Sequence, residues 1–197
     1  MPELPEVEVS RLGLLPHLPG QPIVRAIFRI PKLRHALPPE LAAELAGKRV
    51  RAILRRGKYL LFDCTGDGEN GGWLIIHLGM SGSLRLVPAG TPEQKHDHVE
   101  LVFPGTVLRF RDPRRFGAVL WHAGADVERH PSLAVLGIEP LSPGFDGEWL
   151  YAATRGRAAP IKPMLMDSHL LVGVGNIYAS EALFRAGIAP TRAAGRI

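Results

Sequence analysis

Pro2 and Glu3 stand side by side in the opening stretch Met1-Pro2-Glu3-Leu4-Pro5-Glu6. Once Met1 is removed, Pro2 presents a secondary amine, and an α-amino group titrates near ~7.7–8.0. An appreciable fraction is then neutral and nucleophilic at cellular pH, a state that a lysine ammonium reaches only through burial. The Glu3 carboxyl beside it can serve as an acid or a base. The same residues also make an ordinary helix start, because Pro5 at the first helical position followed by Glu6 and Glu8 is favourable there. Both readings hold together if Pro2 and Glu3 precede that helix.

Two glycine-bounded loops carry a second kind of chemistry. Arg111-Asp112-Pro113-Arg114-Arg115-Phe116-Gly117 displays two arginines beside an aromatic on a turn that Pro113 forces. Leu78-Gly79-Met80-Ser81-Gly82 exposes a methionine between glycines. A protein that reaches a base inside duplex DNA must extrude the nucleotide and fill the gap with side chains. Phe116 or Met80 alone reads as core packing, but together, on two hairpin loops of a basic chain, they read as a wedge.

Three further groups have two readings each. His96-Asp97-His98 sets two imidazoles on one face of a strand, and with no third ligand evident a metal pair is disfavoured; a phosphate or backbone-anchoring role for His96 is more economical. Lys58, between Gly57 and Tyr59 at a strand start, is either an edge lysine or a proton donor in a cleft. Gly173-Val174-Gly175-Asn176 opens a helix, where Asn176 is either the N-cap or a phosphate contact at the helix N-terminus.

The chain has 197 residues, a formal net charge of +5 and one cysteine, Cys64. All but five of its 24 Lys and Arg residues are arginine, whose planar fork suits phosphate; abundant Ala, Gly and Pro show that a GC-rich genome alone can raise arginine. A single cysteine excludes an internal disulfide framework and any multi-cysteine zinc site, and its apolar surroundings make Cys64 a buried strand thiol. No apolar run reaches membrane-spanning length, the start is not a signal peptide, and a cytoplasmic bacterial protein is expected.

The elements that must position these residues follow from periodicity. Period-2 runs at 23–30, 49–55, 58–64, 73–78, 83–87, 98–103, 107–111 and 118–121 read as strands of an antiparallel sandwich or barrel. Helices are expected at 5–17 and at 39–46, the latter closed by Gly47. Pro131, Pro140, Pro143 and Gly144 mark 131–147 as a linker. Beyond it, 148–155, 162–167 and 176–186 read as helices, the last ended by Gly187 and Pro190. The expected organisation is α+β: residues 1–130 a β-rich unit with an N-terminal helix, and 148–197 a helical unit.

Pro-Glu-Leu-Pro-Glu-Val-Glu at 2–8, His77-Leu78-Gly79-Met80-Ser81-Gly82, Lys95-His96-Asp97-His98, Asp112-Pro113-Arg114-Arg115-Phe116-Gly117 and Gly173-Val174-Gly175-Asn176-Ile177-Tyr178-Ala179-Ser180-Glu181 occur in this order. With them the chain closely resembles the bacterial formamidopyrimidine-DNA glycosylases over essentially its whole length. The resemblance implies a β-sandwich with flanking helices and a helix–two-turn–helix module, acting as a monomer on damaged double-stranded DNA. The implied activity is removal of 8-oxoguanine and ring-opened purines, with cleavage of the abasic strand by β-elimination. It assigns Pro2 as the nucleophile at the sugar C1′, Glu3 as the acid acting at the sugar, and Lys58 as the proton donor of the lyase steps. Met80, Arg114 and Phe116 match intercalating residues; His96 and Asn176 match phosphate contacts; Lys162 matches an active-site lysine. Arg157 stands in for a basic DNA contact, because Ala158 occupies a position where relatives carry Lys.

The family continues past the point matching Ile197 with a loop over the flipped base and a four-cysteine zinc finger whose arginine is linked to δ-elimination. The sequence as given is expected to be truncated before that finger, to hold no zinc, and to bind DNA weakly. Two other readings stand beside it: the related enzymes that excise oxidised pyrimidines, which Leu4 and the His96-Asp97-His98 stretch disfavour, and a lesion binder without turnover, which Pro2, Glu3 and Lys58 argue against.

Overall fold

The computed structural model describes residues 2–66 and 71–197; the expected removal of Met1 lies outside the described residues. The chain forms two compact units, one reaching to His130 and one beginning at Pro131. The architecture is mixed α+β, with two antiparallel sheets in the first unit.

In the first unit, α1 (Leu4–Leu14) is followed by β1 (Arg25–Phe28), α2 (Pro39–Leu45), β2 (Ala52–Arg56), β3 (Tyr59–Asp63), β4 (Gly72–His77), β5 (Ser83–Pro88), β6 (Asp97–Phe103), β7 (Thr106–Arg111) and β8 (Ala118–Ala123). One sheet has the order β1-β6-β7-β5 and the other β2-β3-β4-β8. All eight expected strands are present. Alternate residues from both sheets, among them Leu60, Phe62, Leu74, Ile76, Leu101, Phe103, Leu108 and Phe110, meet in one buried cluster, as period-2 side chains of facing sheets must. Each such side chain contributes ~1.5–3 kcal/mol by leaving water.

Helix α1 is shorter than the expected 5–17 span, and Glu3 does not merely precede it. Glu3 is its N-cap, in extended backbone, and Pro5 falls at the second helical position rather than the first. The Glu6 carboxylate accepts the Glu3 amide proton at 2.9 Å, one arm of a capping box. Cys64 is buried just past the end of β3 and continues its pairing, donating its amide to Gly72 O (2.8 Å).

The second unit contains α3 (Pro131–Ala134), α4 (Gly147–Thr154), α5 (Ile161–Leu165) and α6 (Asn176–Arg185). Its own core gathers Ile161, Met164, Leu165, Leu171, Ala179, Leu183 and Ala194. Asp146 caps α4 by accepting the Trp149 amide (2.7 Å), which fixes the start of the helix expected at 148–155. The expected linker 131–147 is instead part of this unit. Pro131 opens α3, the Gly137 amide donates to Ser168 O (2.8 Å), and Ile138 bridges Leu171. A Cβ on Gly137 would lie 2.2 Å from Leu170 O, so this glycine marks a close backbone crossing rather than a flexible spacer. No helix among the described residues is long and apolar enough to cross a membrane.

Candidate active site

Two polar contacts, each braced by a second bond of the same arginine, moor α1, and with it Pro2 and Glu3, to the hairpin that carries Lys58. Glu8 on α1 receives Arg11 Nη2 at 2.6 Å and Arg55 Nε of β2 at 3.1 Å. Arg11 also donates to Ile53 O (3.2 Å), and Arg55 to Gly57 O (3.0 Å). Hydrogen bonding from Arg11, supported by Arg55, holds the Glu8 carboxyl below its ordinary range. Arg56 of β2 pairs with Tyr59 of β3, leaving Gly57-Lys58 as a two-residue turn. Gly57 sits at φ +55°, the backbone that such turns require at their first central position.

Lys58 is half-buried in that turn and lies within electrostatic reach of Glu3. Burial pushes its ammonium below the ordinary lysine range, while the Glu3 and Glu6 carboxylates pull in the opposite direction. Glu3 itself is 1% exposed. The fold thus joins Pro2, a buried carboxyl group and a lysine with a lowered pKa, which suits proton-transfer chemistry and, where Pro2 is the first residue, nucleophilic chemistry.

His77, at the end of β4, belongs to the same region and was assigned no role from sequence. Its ring centroid is 4.7 Å from that of Tyr59. Desolvation, then the positive charges of Arg34 and Lys58, lower its pKa to about 4. Its Nδ1 accepts the Gly79 amide at 3.0 Å, so the neutral ring carries its proton on Nε2. A histidine ending a strand just before a Gly-Met turn was the available signal, but its protonation state depends on neighbours distant in sequence.

The Gly79–Gly82 and Asp112–Gly117 loops meet, Gly79 against the Phe116 backbone and Ser81 against Asp112. Met80 is 41% and Phe116 46% exposed, against a core of nearly inaccessible apolar side chains. The Arg114 guanidinium lies 4.8 Å from the Phe116 ring centroid. Gly79 adopts φ +66°, and Arg115 a left-handed φ of +58°. His96 differs from expectation: it lies outside β6, at φ +75°, and only His98 is on the strand. The β6–β7 register shifts between Asp97 and Val99, a bulge of the kind that re-aims a side chain. The two rings remain 5.9 Å apart, and it is the His98 ring that holds backbone, through Nε2 and Asp112 O at 3.0 Å.

The second unit holds the other expected DNA-contacting residues. Lys162 is half-buried on α5. Arg157 is exposed after α4, its Nε donating to Ala153 O at 2.9 Å. The N-cap of α6 is Gly175, not Asn176. Asn176 is the exposed first residue of that helix, where anions are favoured by backbone amides and the helix dipole. The N-cap alternative for Asn176 is thereby removed.

A four-cysteine zinc site does not fit the residues present. The chain has one cysteine, it is buried in the sandwich unit, and no group of three or more His, Cys, Asp or Glu able to hold a metal is found among the described residues.

Comparison with known proteins agrees with this geometry. Residues 1–119 match the formamidopyrimidine-DNA glycosylase N-terminal domain, and residues 136–197 match the H2TH domain of the same enzymes. A formamidopyrimidine-DNA glycosylase of Dechloromonas aromatica is 64% identical over 199 residues, covering 100% of this chain and 72% of the relative. One of Ralstonia pickettii is 55% identical, with 100% and 73% covered. The wild-type Lactococcus lactis enzyme, solved in complex with DNA containing an oxidised pyrimidine, superposes with a TM-score of 0.88 at 34% identity, covering 100% of this chain and 72% of that one. MutM in complex with DNA containing carbocyclic 8-oxoguanine gives 0.90 at 35%, covering 100% and 73%. An antiparallel sandwich unit followed by a helix–two-turn–helix unit defines the class as a base-excision-repair DNA glycosylase. The chain belongs to the formamidopyrimidine-DNA glycosylase family.

Proposed function

We propose that this chain binds damaged duplex DNA, excises oxidised purines such as 8-oxoguanine and formamidopyrimidines, and cleaves the resulting abasic strand by β-elimination. The observation that carries the reading is the joining of the Pro2-Glu3 terminus to the Lys58 turn. The neutral Pro2 nitrogen attacks C1′ as the bond from C1′ to the base breaks, and the proton that the attacking amine sheds neutralises the departing base anion. Glu3 delivers a proton to the sugar ring oxygen as the ring opens, and a secondary amine becomes an iminium with no further proton to lose. Removal of a C2′ proton then expels the 3′ phosphate oxygen, Lys58 supplying the proton for the lyase steps. Hydrolysis of the iminium restores Pro2.

Met80, Arg114 and Phe116 fill the gap left by the extruded nucleotide; unstacking and unpairing cost a few kcal/mol, least at a damaged pair. His96 and Asn176 hold backbone phosphates, and Arg157 and Lys162 make further contacts to DNA. The relatives' complexes with a formamidopyrimidine lesion, with 8-oxoguanine and with abasic DNA support this substrate class. A second reading, excision of oxidised pyrimidines, is favoured by the Lactococcus lactis complex with such a lesion.

The test is borohydride trapping on duplexes carrying 8-oxoguanine, an oxidised pyrimidine or an abasic site, with the adduct mapped by mass spectrometry. The proposal expects a covalent adduct on Pro2, formed faster on 8-oxoguanine than on the pyrimidine lesion. An adduct on Lys58 would overturn the nucleophile assignment, and the reverse lesion order would favour the second reading.

A further inference from the structure

The wedge groups sit on separate loops, yet one carboxylate is bonded into all of the segments that carry them. Asp112 is 0% exposed. Its Oδ1 accepts the Ser81 hydroxyl at 2.6 Å and its Oδ2 accepts the Gly117 amide at 2.7 Å. Ser81 Oγ in turn accepts the Arg114 amide at 3.1 Å, so its proton is directed at Asp112. The Asp112 amide donates to His96 O (3.1 Å), and its carbonyl accepts the Arg115 amide (3.2 Å) and the His98 Nε2 proton. The Met80 loop, the Arg114–Phe116 loop and the His96 segment are therefore tied to a single residue that reaches no solvent.

We infer that Asp112 is a positioning residue that sets the three DNA-facing segments in one arrangement, so that Met80, Arg114, Phe116 and His96 engage DNA together. The inference rests on the wedge role proposed above. A buried carboxylate is costly unless its oxygens are hydrogen-bonded, and both Asp112 oxygens accept from the two loops, Ser81 on one and Gly117 on the other. Such a network ties its members to one geometry when every bond is made. Nearby glycines keep the carboxylate within reach: a Cβ on Gly117 would lie 3.0 Å from Asp112 Oδ2 and 2.5 Å from Phe110 Cζ.

Two variants separate this role from plain folding. Asp112→Asn keeps shape but turns one acceptor into a donor, and Ser81→Ala removes the arm that ties the Met80 loop to Asp112 and to Arg114. Hydrogen exchange on the free 197-residue chain should show faster exchange at 79–82, 94–98 and 112–117 in Asp112→Asn, with β3 and β4 unchanged. In Ser81→Ala, excision of 8-oxoguanine from duplex should fall about tenfold relative to cleavage of a preformed abasic site, with the thermal midpoint kept. Faster exchange confined to 112–117, or equal losses on the two substrates, would overturn the inference. A wild-type chain that acts on no lesion would instead overturn the proposed function, and hydrogen exchange would still decide whether the segments are coupled.

Discussion

Gly79 and Phe116 meet backbone to backbone: a Cβ placed on Gly79 would lie 2.4 Å from the Phe116 carbonyl carbon and 2.5 Å from the Gly117 nitrogen. Gly79 also holds φ +66°, a conformation that costs a substituted residue free energy. Gly79→Ala is therefore expected to destabilise the sandwich unit by on the order of 2 kcal/mol or more and to separate the two wedge loops. Gly147→Ala, where nothing lies within 4 Å, should be neutral or slightly stabilising as a helix position. Urea unfolding of both variants provides the comparison; equal stability would show that the loops part without cost.

Phe116→Ala tests the wedge itself. Because extrusion is hardest from an intact pair, excision from a lesion duplex should drop more than cleavage at an abasic site. Single-turnover rates on both substrates measure it, and parallel losses would assign Phe116 to folding.

Lys58 gives a pH prediction with a definite sign. Glu6 raises the Lys58 pKa against burial, so Glu6→Gln should lower it further while its amide oxygen can still accept the Glu3 amide. If protonated Lys58 serves the lyase steps, the alkaline limb of the abasic-cleavage profile moves to lower pH. An unmoved limb would remove Lys58 from that role.

His77 makes stability depend on pH. Its folded-state value, about 4, lies below the ordinary 6.5, so between these values the unfolded chain binds more protons and stability rises with pH. As pH falls from about 6.5 to about 4, roughly 2–3 kcal/mol is lost through this group. His77→Asn places an amide oxygen near the Nδ1 position and cannot titrate, so its stability should be flatter over that window. Urea midpoints at pH 7 and 4.5 for both proteins test this.

Most of the scaffold could be read from the sequence, whereas the links between its loops could not. Strands such as 58–64 and 107–111 announce themselves by alternation, because one face must be buried. The 131–147 segment reads as a spacer because proline and glycine look alike in a spacer and in a tight crossing; the contact of Gly137 with Leu170 separates the two. Glu3, Lys58, Met80, Arg114 and Phe116 stood out by residue type and setting. Asp112 and His77 did not, because their roles arise from partners on other strands, and local spacing carries no trace of such partners.

Asn176 illustrates how the structure sharpens a role. With Gly175 as N-cap, Asn176→Ala should leave thermal stability nearly unchanged yet weaken DNA binding. A lost phosphate contact should flatten the slope of log affinity against log salt by about 0.9. A large drop in thermal midpoint with an unchanged slope would return Asn176 to a structural role.

The two-residue turn Gly57-Lys58 joins strands that pair from Arg56 and Tyr59 back to Ala52 and Asp63. A connection this short has no slack: a residue added or removed there must be taken up by a bulge or a longer loop, or the pairing slips by one and exchanges the two faces of β3. In that slip Leu60 and Phe62 would leave the core at the same stroke that moved Lys58 away from Glu3. Such a slip is thus barred twice over. A lysine placed in a turn directly before a buried strand is held in step with that strand's core residues.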